Sequence, residues 1–368
     1  IIMRKEDWTM KYEIKVTKTT APKPHPTDET KLGFGQIFTD HMFLMDFDPD
    51  KGWHDARIVP FGPLPIHPAA TVFHYGVEIF EGLKAYRRAD GAVALFRPDE
   101  NAKRFRNSAE RLCLPELDEE AFVDIVKTLV ELEKDWIPSA EGTSLYIRPF
   151  MFGDDANLGV HGVHHAVFAV ICSPVGAYYA EGINPVKIAI ESKDVRAVRG
   201  GTGYAKCGGN YAASLRAGEE AEKRGYTQVL WLDGVERKYI EEVGSMNVMF
   251  KINGKIVTPA LTGSVLPGVT RKSCVQLLKD WGYEVEERLI SVDELFEAAA
   301  NGTLEEAWGT GTAAVVSPIG HLFYQGKEYT VCNNEIGKVT HKLYDTITGI
   351  QCGKVADPYG WSVKVCNG

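Results

Sequence analysis

Residues 200–214 read GGTGYAKCGGNYAAS, a single lysine between two glycine-rich flanks. Glycine loses more conformational freedom on folding than any other residue, so this run indicates that something must approach the main chain closely. Lys206 also precedes a helix predicted over 210–225, and the N-terminus of a helix carries a partial positive charge. A lysine in such a place, partly shielded from water, becomes a nucleophilic amine.

Known loop motifs do not account for Lys206. A phosphate-binding loop has Gly-Lys followed by Ser or Thr, whereas here Ala205 precedes the lysine and Cys207 follows it. The dinucleotide-binding fingerprint fails because its third glycine is misplaced. A solvated lysine in a glycine-rich loop remains the ordinary alternative. The chemical alternative is an amine that forms a Schiff base with a carbonyl compound such as pyridoxal phosphate.

Composition restricts the class of protein. A chain of 368 residues with 44% hydrophobic and 25% charged residues is typical of a globular protein with two domains. The net charge of −9 argues against nucleic acid or a membrane surface as the main partner. The seven cysteines are scattered without a C-x-x-C pair, so neither a disulfide framework nor a zinc site is indicated, and we expect reduced thiols in the cytoplasm. The first residues lack the apolar core of a signal peptide, and no apolar run reaches membrane-spanning length.

The order of the elements favours an α+β fold. A hairpin is predicted around Asp90-Gly91, a helix from Pro98, and the clearest amphipathic helix over 118–136. Because helices are segregated among hairpins, a regularly wound parallel sheet is not expected. In chain order, the predicted organisation is an N-terminal arm (1–26), a small α+β domain (27–172), an interdomain linker (173–185) and a large domain carrying Lys206 (186–368).

Pyridoxal phosphate chemistry requires an acid that keeps the pyridine nitrogen protonated. IEEVGSMN (240–247) offers Glu241 and Glu242 at the end of a predicted strand, although on this stretch alone a surface turn is the better interpretation. A donor to the phenolic oxygen is also needed. Tyr211 is close enough to Lys206 in sequence to reach the same ring, although buried tyrosines are common.

The cofactor also needs an anion site. LPGVTRKS (266–273) opens a predicted helix, where Val269 and Thr270 offer main-chain N–H groups to a phosphate, unless the stretch is an ordinary helix cap. WGTGTAAV (308–315) is a small-residue loop with two hydroxyls that would suit phosphate or a carboxylate, or else a plain turn between strands.

Taken in order, these motifs resemble the branched-chain amino acid aminotransferases, which are pyridoxal-phosphate enzymes of fold type IV. The resemblance extends from about residue 30 to 350. The stretches that carry it are FTDHMF, HYGVEIFEGLKAYR, LFRPDENAKRF, SLYIRP, GTGYAKCGGNYAAS, QVLWLDG, EEVGSMN, LPGVTR and WGTGTAAV. It implies a two-domain architecture with the cofactor at the domain interface.

The resemblance implies a role for each cofactor residue. Lys206 matches the Schiff-base lysine that moves the substrate Cα proton, and Glu242 matches the partner of the pyridine nitrogen, with Glu241 as the neighbour if the match is displaced by one. Tyr211 matches the donor to the phenolic oxygen. The implied phosphate ligands are Arg104, Val269, Thr270 and Thr310. For Arg104, a solvated helix face fits the local sequence as well.

The substrate residues follow from the same resemblance. The implied aromatic wall for a branched side chain consists of Phe34, Tyr75, Phe80, Tyr146 and Tyr178. The implied receivers of the α-carboxylate are Ser245, Thr312 and Ala313. Arg148 lies two residues after Tyr146, so on a strand both point to one face, and it either orients Tyr146 or meets the second carboxylate of glutamate. Aromatic residues of this kind otherwise belong to an ordinary core.

The implied activity is reversible amino transfer between L-leucine, L-isoleucine or L-valine and 2-oxoglutarate, which gives branched 2-oxo acids and L-glutamate. A homodimer is implied too, with Leu158 and Val160 reaching the neighbouring subunit's pocket. A D-amino acid aminotransferase, an aminodeoxychorismate lyase and a non-catalytic pyridoxal-phosphate-binding protein are the alternatives. Ala314 and Ser317 occupy the positions where some relatives have a redox-active cysteine pair, so thiol regulation is not expected there.

Overall fold

The computed structural model describes residues 11–176 and 183–367. The strands are β1 (Lys15–Val16), β2 (His41–Asp48), β3 (Gly52–Pro60), β4 (Glu78–Phe80), β5 (Leu83–Arg87), β6 (Ala92–Phe96), β7 (Ser144–Gly153), β8 (Ala166–Val175), β9 (Val186–Glu191), β10 (Gln228–Leu232), β11 (Ile240–Val243), β12 (Asn247–Ile252), β13 (Lys255–Pro259), β14 (Val285–Arg288), β15 (Leu304–Gly311), β16 (Val315–Tyr324), β17 (Lys327–Thr330) and β18 (Ser362–Asn367). The α-helices are α1 (Thr71–Tyr75), α2 (Pro98–Arg111), α3 (Glu119–Leu132), α4 (Gly208–Ala212), α5 (Leu215–Lys223), α6 (Val269–Asp280), α7 (Val292–Ala300) and α8 (Lys338–Gln351).

The chain divides into two compact units. Of the described residues, the first unit contains 11–176, 205–208 and 349–367, and the second contains 183–204 and 209–348. Lys206 therefore belongs to the first unit. None of the described helices is long and apolar enough to cross a membrane.

The first unit is built on a nine-stranded sheet with the order β1-β3-β2-β8-β7-β5-β6-β18, in which β4 pairs with β7. Almost all of its pairs are antiparallel, and the predicted hairpin turn at Gly91 joins β5 to β6, with φ of 78° at the glycine. The exception is the parallel pair of β1, at 15–16 in the predicted arm, with β3.

Two helices cover a face of this sheet. Asp118 caps α3 by accepting from the N–H of Ala121 at 3.0 Å, and apolar residues at helical spacing give the helix one buried side. Phe122 of α3, Phe105 of α2 and Phe168 of β8 pack with ring centroids 5.2–6.0 Å apart. This aromatic cluster anchors α2, the helix that contributes polar side chains to the candidate site.

The second unit has its own nine-stranded sheet, with the order β11-β10-β9-β16-β15-β12-β13-β14 and β17 paired with β16. Parallel pairs join β9 to both β10 and β16, and β13 to β14, while the other pairs are antiparallel. Helix α7 contributes Leu295 and Phe296 to the apolar core of this sheet. Two mixed sheets with segregated helices confirm the α+β prediction.

The single helix predicted over 210–225 is wrong, because the structure has two helices there, α4 and α5. Ser214 lies between them. Its main-chain N–H donates to the carbonyl of Tyr211 at 3.0 Å, and its Oγ donates to the same carbonyl at 2.7 Å. A serine side chain that bonds to the local main chain in this way competes with the helical pattern, so the helix restarts after it.

Candidate active site

The main chain of Lys206 is fixed on both sides within the first unit. Its N–H donates to Oγ of Ser108 at 2.9 Å, and its carbonyl accepts from the N–H of Phe80 at 2.9 Å. Lys206 Nζ lies 4.7 Å from the centroid of the Phe80 ring, a cation–π distance. The neighbours Ala205 and Cys207 are buried. The glycine-rich stretch thus presents a half-buried amine with defined surroundings.

One face of α2 carries three buried polar residues at helical spacing, Asn101, Arg104 and Ser108. Arg104 donates from Nε to Oε1 of Glu81 at 2.7 Å and from Nη2 to Oε2 at 2.8 Å, which is a bidentate pair. Asn101 donates to Oε2 of Glu81 at 2.7 Å, and Ser108 donates to the Arg104 carbonyl at 2.9 Å. A continuous polar network therefore runs from Glu81 to the main chain of Lys206.

Neighbouring positive charges favour the ionised form of Glu81. Complete burial would raise its pKa, but the Arg104 guanidinium and, after it, the Lys206 ammonium lower the pKa of Glu81 below its ordinary value. The network thus holds a carboxylate close to the amine. The sequence did not single out Glu81 or Ser108, because the spacing of the polar residues on α2 is also that of any helix face turned to a core.

Four of the residues predicted for the substrate wall or its polar group lie together in the first unit. The rings of Phe34 and Tyr146 meet edge to face with centroids 4.9 Å apart. Arg148 donates to Oη of Tyr146 at 3.0 Å, and its Cζ lies 4.6 Å from the centroid of the Phe80 ring. Arg148 Nε is buried and has no hydrogen-bond partner among the described residues. The arrangement is an aromatic wall with one guanidinium that has donor capacity left for an acceptor.

Of the two other predicted wall residues, Tyr75 lies within the described residues and Tyr178 does not. Tyr75, the last residue of α1, is 40% exposed and donates from Oη to the carbonyl of Leu158. Tyr178 lies outside the described residues, so its predicted role stays a prediction.

Two glycines allow close approach around this wall. A Cβ at Gly82 would collide with Oη of Tyr146, and one at Gly208 would collide with Oε1 of Glu78. That Glu78 oxygen accepts the N–H of Gly208. Burial raises the pKa of Glu78, while the Gly208 N–H and the Arg148 charge oppose the shift. Sequence reasoning missed Glu78, although a glutamate beside the predicted Phe80 was a visible signal.

In the second unit, Glu242 is held from two sides at the end of β11. Its Oε1 accepts the N–H of Leu266 at 2.6 Å and lies 3.2 Å from Nη2 of Arg196. Arg196 also donates to the carbonyl of Gly203 at 3.1 Å and to that of Ser264. Arg196 was not predicted from sequence, because the loop that brings it to Glu242 has no recognisable pattern.

The neighbouring carboxylate, Glu241, is bound differently. Its Oε1 accepts from Oγ of Ser264, and its Oε2 is buried with no hydrogen-bond partner among the described residues. Burial raises the pKa of Glu241, with Ser264 and Arg196 opposing the shift. Successive side chains on a strand point to opposite faces, so the side chains of Glu241 and Glu242 lie in different surroundings.

The N-terminus of α6 is placed beside β15 by hydrogen bonds. Asn247 at the start of β12 lies opposite Thr310 in the sheet register and donates to the carbonyl of Leu266 at 2.8 Å. The residue that precedes α6 is Gly268, so no side chain caps the helix. The first residues, Val269 and Thr270, therefore present main-chain N–H groups of the kind that bind anions.

The predicted carboxylate receivers lie in two turns of the second unit. Ser245 is exposed in the turn between β11 and β12, and Thr312 and Ala313 form the turn between β15 and β16. Met246, the residue after Ser245, lies beside Gly309 and Gly311 at the end of β15.

Tyr211 lies in α4 and is half-buried. The preceding Asn210 donates from Nδ2 to the carbonyl of Thr202 at 2.8 Å, and Thr202 Oγ1 donates to Oδ1 of Asn210 at 2.8 Å. This reciprocal pair closes the loop that contains Lys206. Tyr211 stays a predicted cofactor ligand.

The donors present suit pyridoxal phosphate. Thr310 Oγ1 is buried yet has no hydrogen-bond partner among the described residues, and a buried hydroxyl left in this state costs about 1–3 kcal/mol. A phosphate at the N-terminus of α6 would supply the missing acceptor. Glu242, as a buried carboxylate, suits a protonated ring nitrogen, and Lys206 supplies the amine. These groups match what the cofactor requires.

Comparisons of the sequence and the structure with known proteins all identify aminotransferases. The amino-transferase class IV family model matches residues 78–322. The branched-chain-amino-acid aminotransferase 2 of Bacillus subtilis (strain 168) is 57% identical over 355 residues, 96% of this chain and 98% of that protein. The crystal structure of the Escherichia coli branched-chain amino acid aminotransferase superposes with a TM-score of 0.75 at 27% identity, covering 89% of this chain and 99% of that one. A T.th. branched-chain amino acid aminotransferase with pyridoxamine 5′-phosphate also gives a TM-score of 0.75, at 28% identity over 90% of this chain and 100% of that one.

Proposed function

The chain belongs to the amino-transferase class IV family, and from this premise we propose that it is a branched-chain amino acid aminotransferase. It transfers the amino group reversibly between L-leucine, L-isoleucine or L-valine and 2-oxoglutarate, giving branched 2-oxo acids and L-glutamate. The observation that carries the proposal is the amine of Lys206 lying 4.7 Å from Phe80, a residue of the aromatic wall. An amine beside an apolar wall is what amino transfer on an aliphatic amino acid requires.

The cofactor is pyridoxal 5′-phosphate. When bound, it supplies a protonated ring that takes up the electrons released at the substrate Cα. We assign Lys206 to it, together with the ligands Arg104, Tyr211, Glu242, Val269, Thr270 and Thr310. Arg104 uses two of its N–H groups on Glu81, so Glu81 sets the orientation in which this guanidinium meets phosphate.

Lys206 is the catalytic base in this proposal. Its amine would take the proton from the substrate Cα and deliver it to the C4′ carbon of the cofactor, and would carry it back in the reverse reaction. The carboxylate of Glu81, ionised through Arg104, stabilises the ammonium form of Lys206 that exists after the proton is taken. Ser108 holds the lysine main chain in place, so the amine moves on its side chain while its attachment point stays fixed.

The wall residues Phe34, Tyr75, Phe80, Tyr146 and Tyr178 are assigned to the branched side chain. Arg148 is assigned to Tyr146, which it orients, and to the second carboxylate of glutamate, which needs a cationic partner. Ser245, Thr312 and Ala313 are assigned to the α-carboxylate. A wall with one guanidinium explains how a single enzyme accepts both an aliphatic and an acidic side chain.

The proposed assembly is a homodimer in which Leu158 and Val160 reach the neighbouring subunit's pocket. The exposure of these two apolar side chains supports the proposed contact, because Leu158 is 64% and Val160 is 81% exposed. A cytoplasmic location is part of the proposal and is supported by the state of the cysteines, all seven of which are free thiols.

Replacing Lys206 with alanine tests the function. We expect Lys206→Ala to lower the rate of amino transfer from L-leucine below about one thousandth of wild type, because no other group takes the Cα proton. The visible absorbance of the lysine-bound cofactor should be lost as well. Lys103→Ala is the matched control, because Lys103 is exposed on α2 and pairs with Asp99 and Glu100. A Lys206→Ala protein with wild-type turnover would refute the proposal.

The alternative activities can be distinguished by which amino acid changes the absorbance of the bound cofactor. Adding L-leucine to the holoenzyme should convert its absorbance to that of the pyridoxamine form, and D-alanine should not. A response to D-alanine alone would identify a D-amino acid aminotransferase. A cofactor spectrum that no amino acid changes would identify a binding protein without catalysis.

A further inference from the structure

The loop from 154 to 165, between β7 and β8, contains a cluster of metal-ligating side chains that the site above does not use. Asp155, His161 and His164 each offer one potential ligand atom, and these atoms lie within 4.8 Å of one another. Cysteine spacing gave no sign of a metal site, but this cluster consists of imidazoles and a carboxylate. It is therefore a separate feature of the first unit.

Asp155 gives the cluster a fixed base. The side chain is buried, and its two oxygens accept the N–H groups of His164 and His165 at 3.1–3.3 Å. Its own carbonyl accepts the N–H of Thr71 at 3.1 Å, which ties the loop to α1. A carboxylate has about four lone-pair positions, so these bonds leave acceptor capacity for a cation.

His161 shows the strongest sign of a missing ligand. Its Nδ1 lies 2.7 Å from the carbonyl oxygen of Gly162, and only a protonated Nδ1 can bond to a carbonyl. In the neutral ring, Nε2 then carries the lone pair. That Nε2 is buried and has no hydrogen-bond partner among the described residues. A ring held at one nitrogen by a carbonyl, with the other nitrogen unprotonated, is the usual state of a metal-ligating histidine.

The second imidazole lies alongside the first. The rings of His161 and His164 stack with centroids 5.4 Å apart and an angle of 21° between their planes. The next residue, His165, is engaged elsewhere, because its Nδ1 lies 2.6 Å from Oδ1 of Asp48. The cluster therefore has two available imidazoles and one carboxylate.

We propose that Asp155, His161 and His164 bind a divalent transition-metal ion of the zinc class. Two nitrogens and one oxygen suit zinc, whereas calcium and magnesium prefer oxygen ligands throughout. Zinc bonds are about 2 Å long, so ligand atoms around one ion lie within about 4 Å of each other. Rotation of the exposed His164 ring closes the remaining distance. Three protein ligands leave the fourth position to water.

The test uses untagged holoenzyme, freed of metal by dialysis against a chelator that is then removed. Zn²⁺ is titrated in competition with a chromophoric chelator. We expect one tightly bound Zn²⁺ per chain, a higher thermal midpoint with Zn²⁺, and affinity at least about tenfold lower in His161→Gln and in His164→Gln. Glutamine keeps the size and polarity of these partly exposed positions, so both variants should match the wild-type midpoint without metal.

Two control variants separate this site from incidental binding. His341→Gln removes an exposed histidine that pairs with Asp345 at 2.8 Å but has no third metal-ligating side chain nearby in the part of the chain that the structure describes. Cys113→Ser removes an exposed thiol. Both should keep the wild-type affinity for Zn²⁺. Absence of stoichiometric binding, unchanged affinity in His161→Gln and His164→Gln, or an equal loss in the controls would overturn the proposal. None of these results depends on amino transfer.

Discussion

Lys84 is a second lysine of the first unit that lies away from water, with 6% of its surface exposed. It belongs to β5 and lies opposite Tyr146 in the register with β7. Burial lowers the pKa of Lys84 to about 8, and the nearby Cys352 thiol opposes the shift. Unlike Lys206, it is not assigned to the chemistry, and its ionisation contributes to stability.

The shift at Lys84 predicts how stability depends on pH. In the unfolded chain the amine keeps its proton up to an ordinary pKa near 10.5, whereas in the folded protein it loses the proton near pH 8. Between these values the unfolded state binds more protons, so raising the pH increases the free energy of unfolding. A shift from 10.5 to about 8 corresponds to about 3 kcal/mol over the whole window.

Lys84→Met should remove this contribution. The free energy of unfolding, measured by urea denaturation from pH 7 to 10, should rise less with pH in Lys84→Met than in wild type. The comparison isolates Lys84, because the other titrating groups are common to both proteins. Lys327→Met, at an exposed position of β17, should follow the wild-type curve. Parallel curves for wild type and Lys84→Met would contradict the prediction.

At the scale of elements, α6 and β15 meet where the phosphate is proposed to bind. Thr310→Val keeps the shape of the side chain and removes a buried hydroxyl with no partner among the described residues. The cofactor-free protein should therefore be as stable as wild type or more stable by about 1–3 kcal/mol. Cofactor affinity should fall by roughly 10- to 100-fold, because a hydrogen bond to a charged group is lost.

Thr258→Val is the matched control for Thr310→Val in the same unit. Thr258 is equally buried, but its Oγ1 donates to the carbonyl of Val248 at 2.8 Å. This variant should lose stability and keep its cofactor affinity. Fluorescence titration with pyridoxal phosphate and thermal unfolding of the cofactor-free proteins give the two measurements. If Thr310→Val lost stability with unchanged cofactor affinity, the proposed role of this hydroxyl would be wrong.

Elements with strong local signals could be predicted from the sequence. Gly91 marks the hairpin of β5 and β6, because glycine readily adopts the positive φ that the turn requires. Pro98 marks the start of α2, because its fixed φ suits the first turn of a helix. The helix over 210–225 failed because Ser214 forms a side-chain bond that apolar periodicity does not reveal. The series of motifs along the sequence pointed to Lys206 and Glu242 as candidate site residues. The partners Glu81 and Arg196 were missed, since their contacts are set by tertiary packing.

At the scale of the whole molecule, two exposed apolar residues of one loop, Leu158 and Val160, predict the assembly. Leu158→Asp combined with Val160→Asp should convert the proposed dimer to monomer and lower the specific activity by at least about tenfold, because burying carboxylates in an apolar contact costs several kcal/mol. Sedimentation equilibrium and leucine turnover are the measurements. Val235→Asp, at a position 79% exposed in the second unit, should leave both unchanged. A doubly substituted protein that sediments as wild type would rule out this contact.

The absence of a side chain at Gly82 has a consequence for redesign. The phenolic oxygen of Tyr146 occupies the space that a Cβ at position 82 would need. Only glycine therefore fits at position 82 while Tyr146 is present. A mutagenesis library meant to broaden substrate range should therefore vary the two positions jointly. Smaller residues at position 146 would leave space beside the main chain of residue 82, so other residues could stand there, and they would enlarge the proposed substrate pocket.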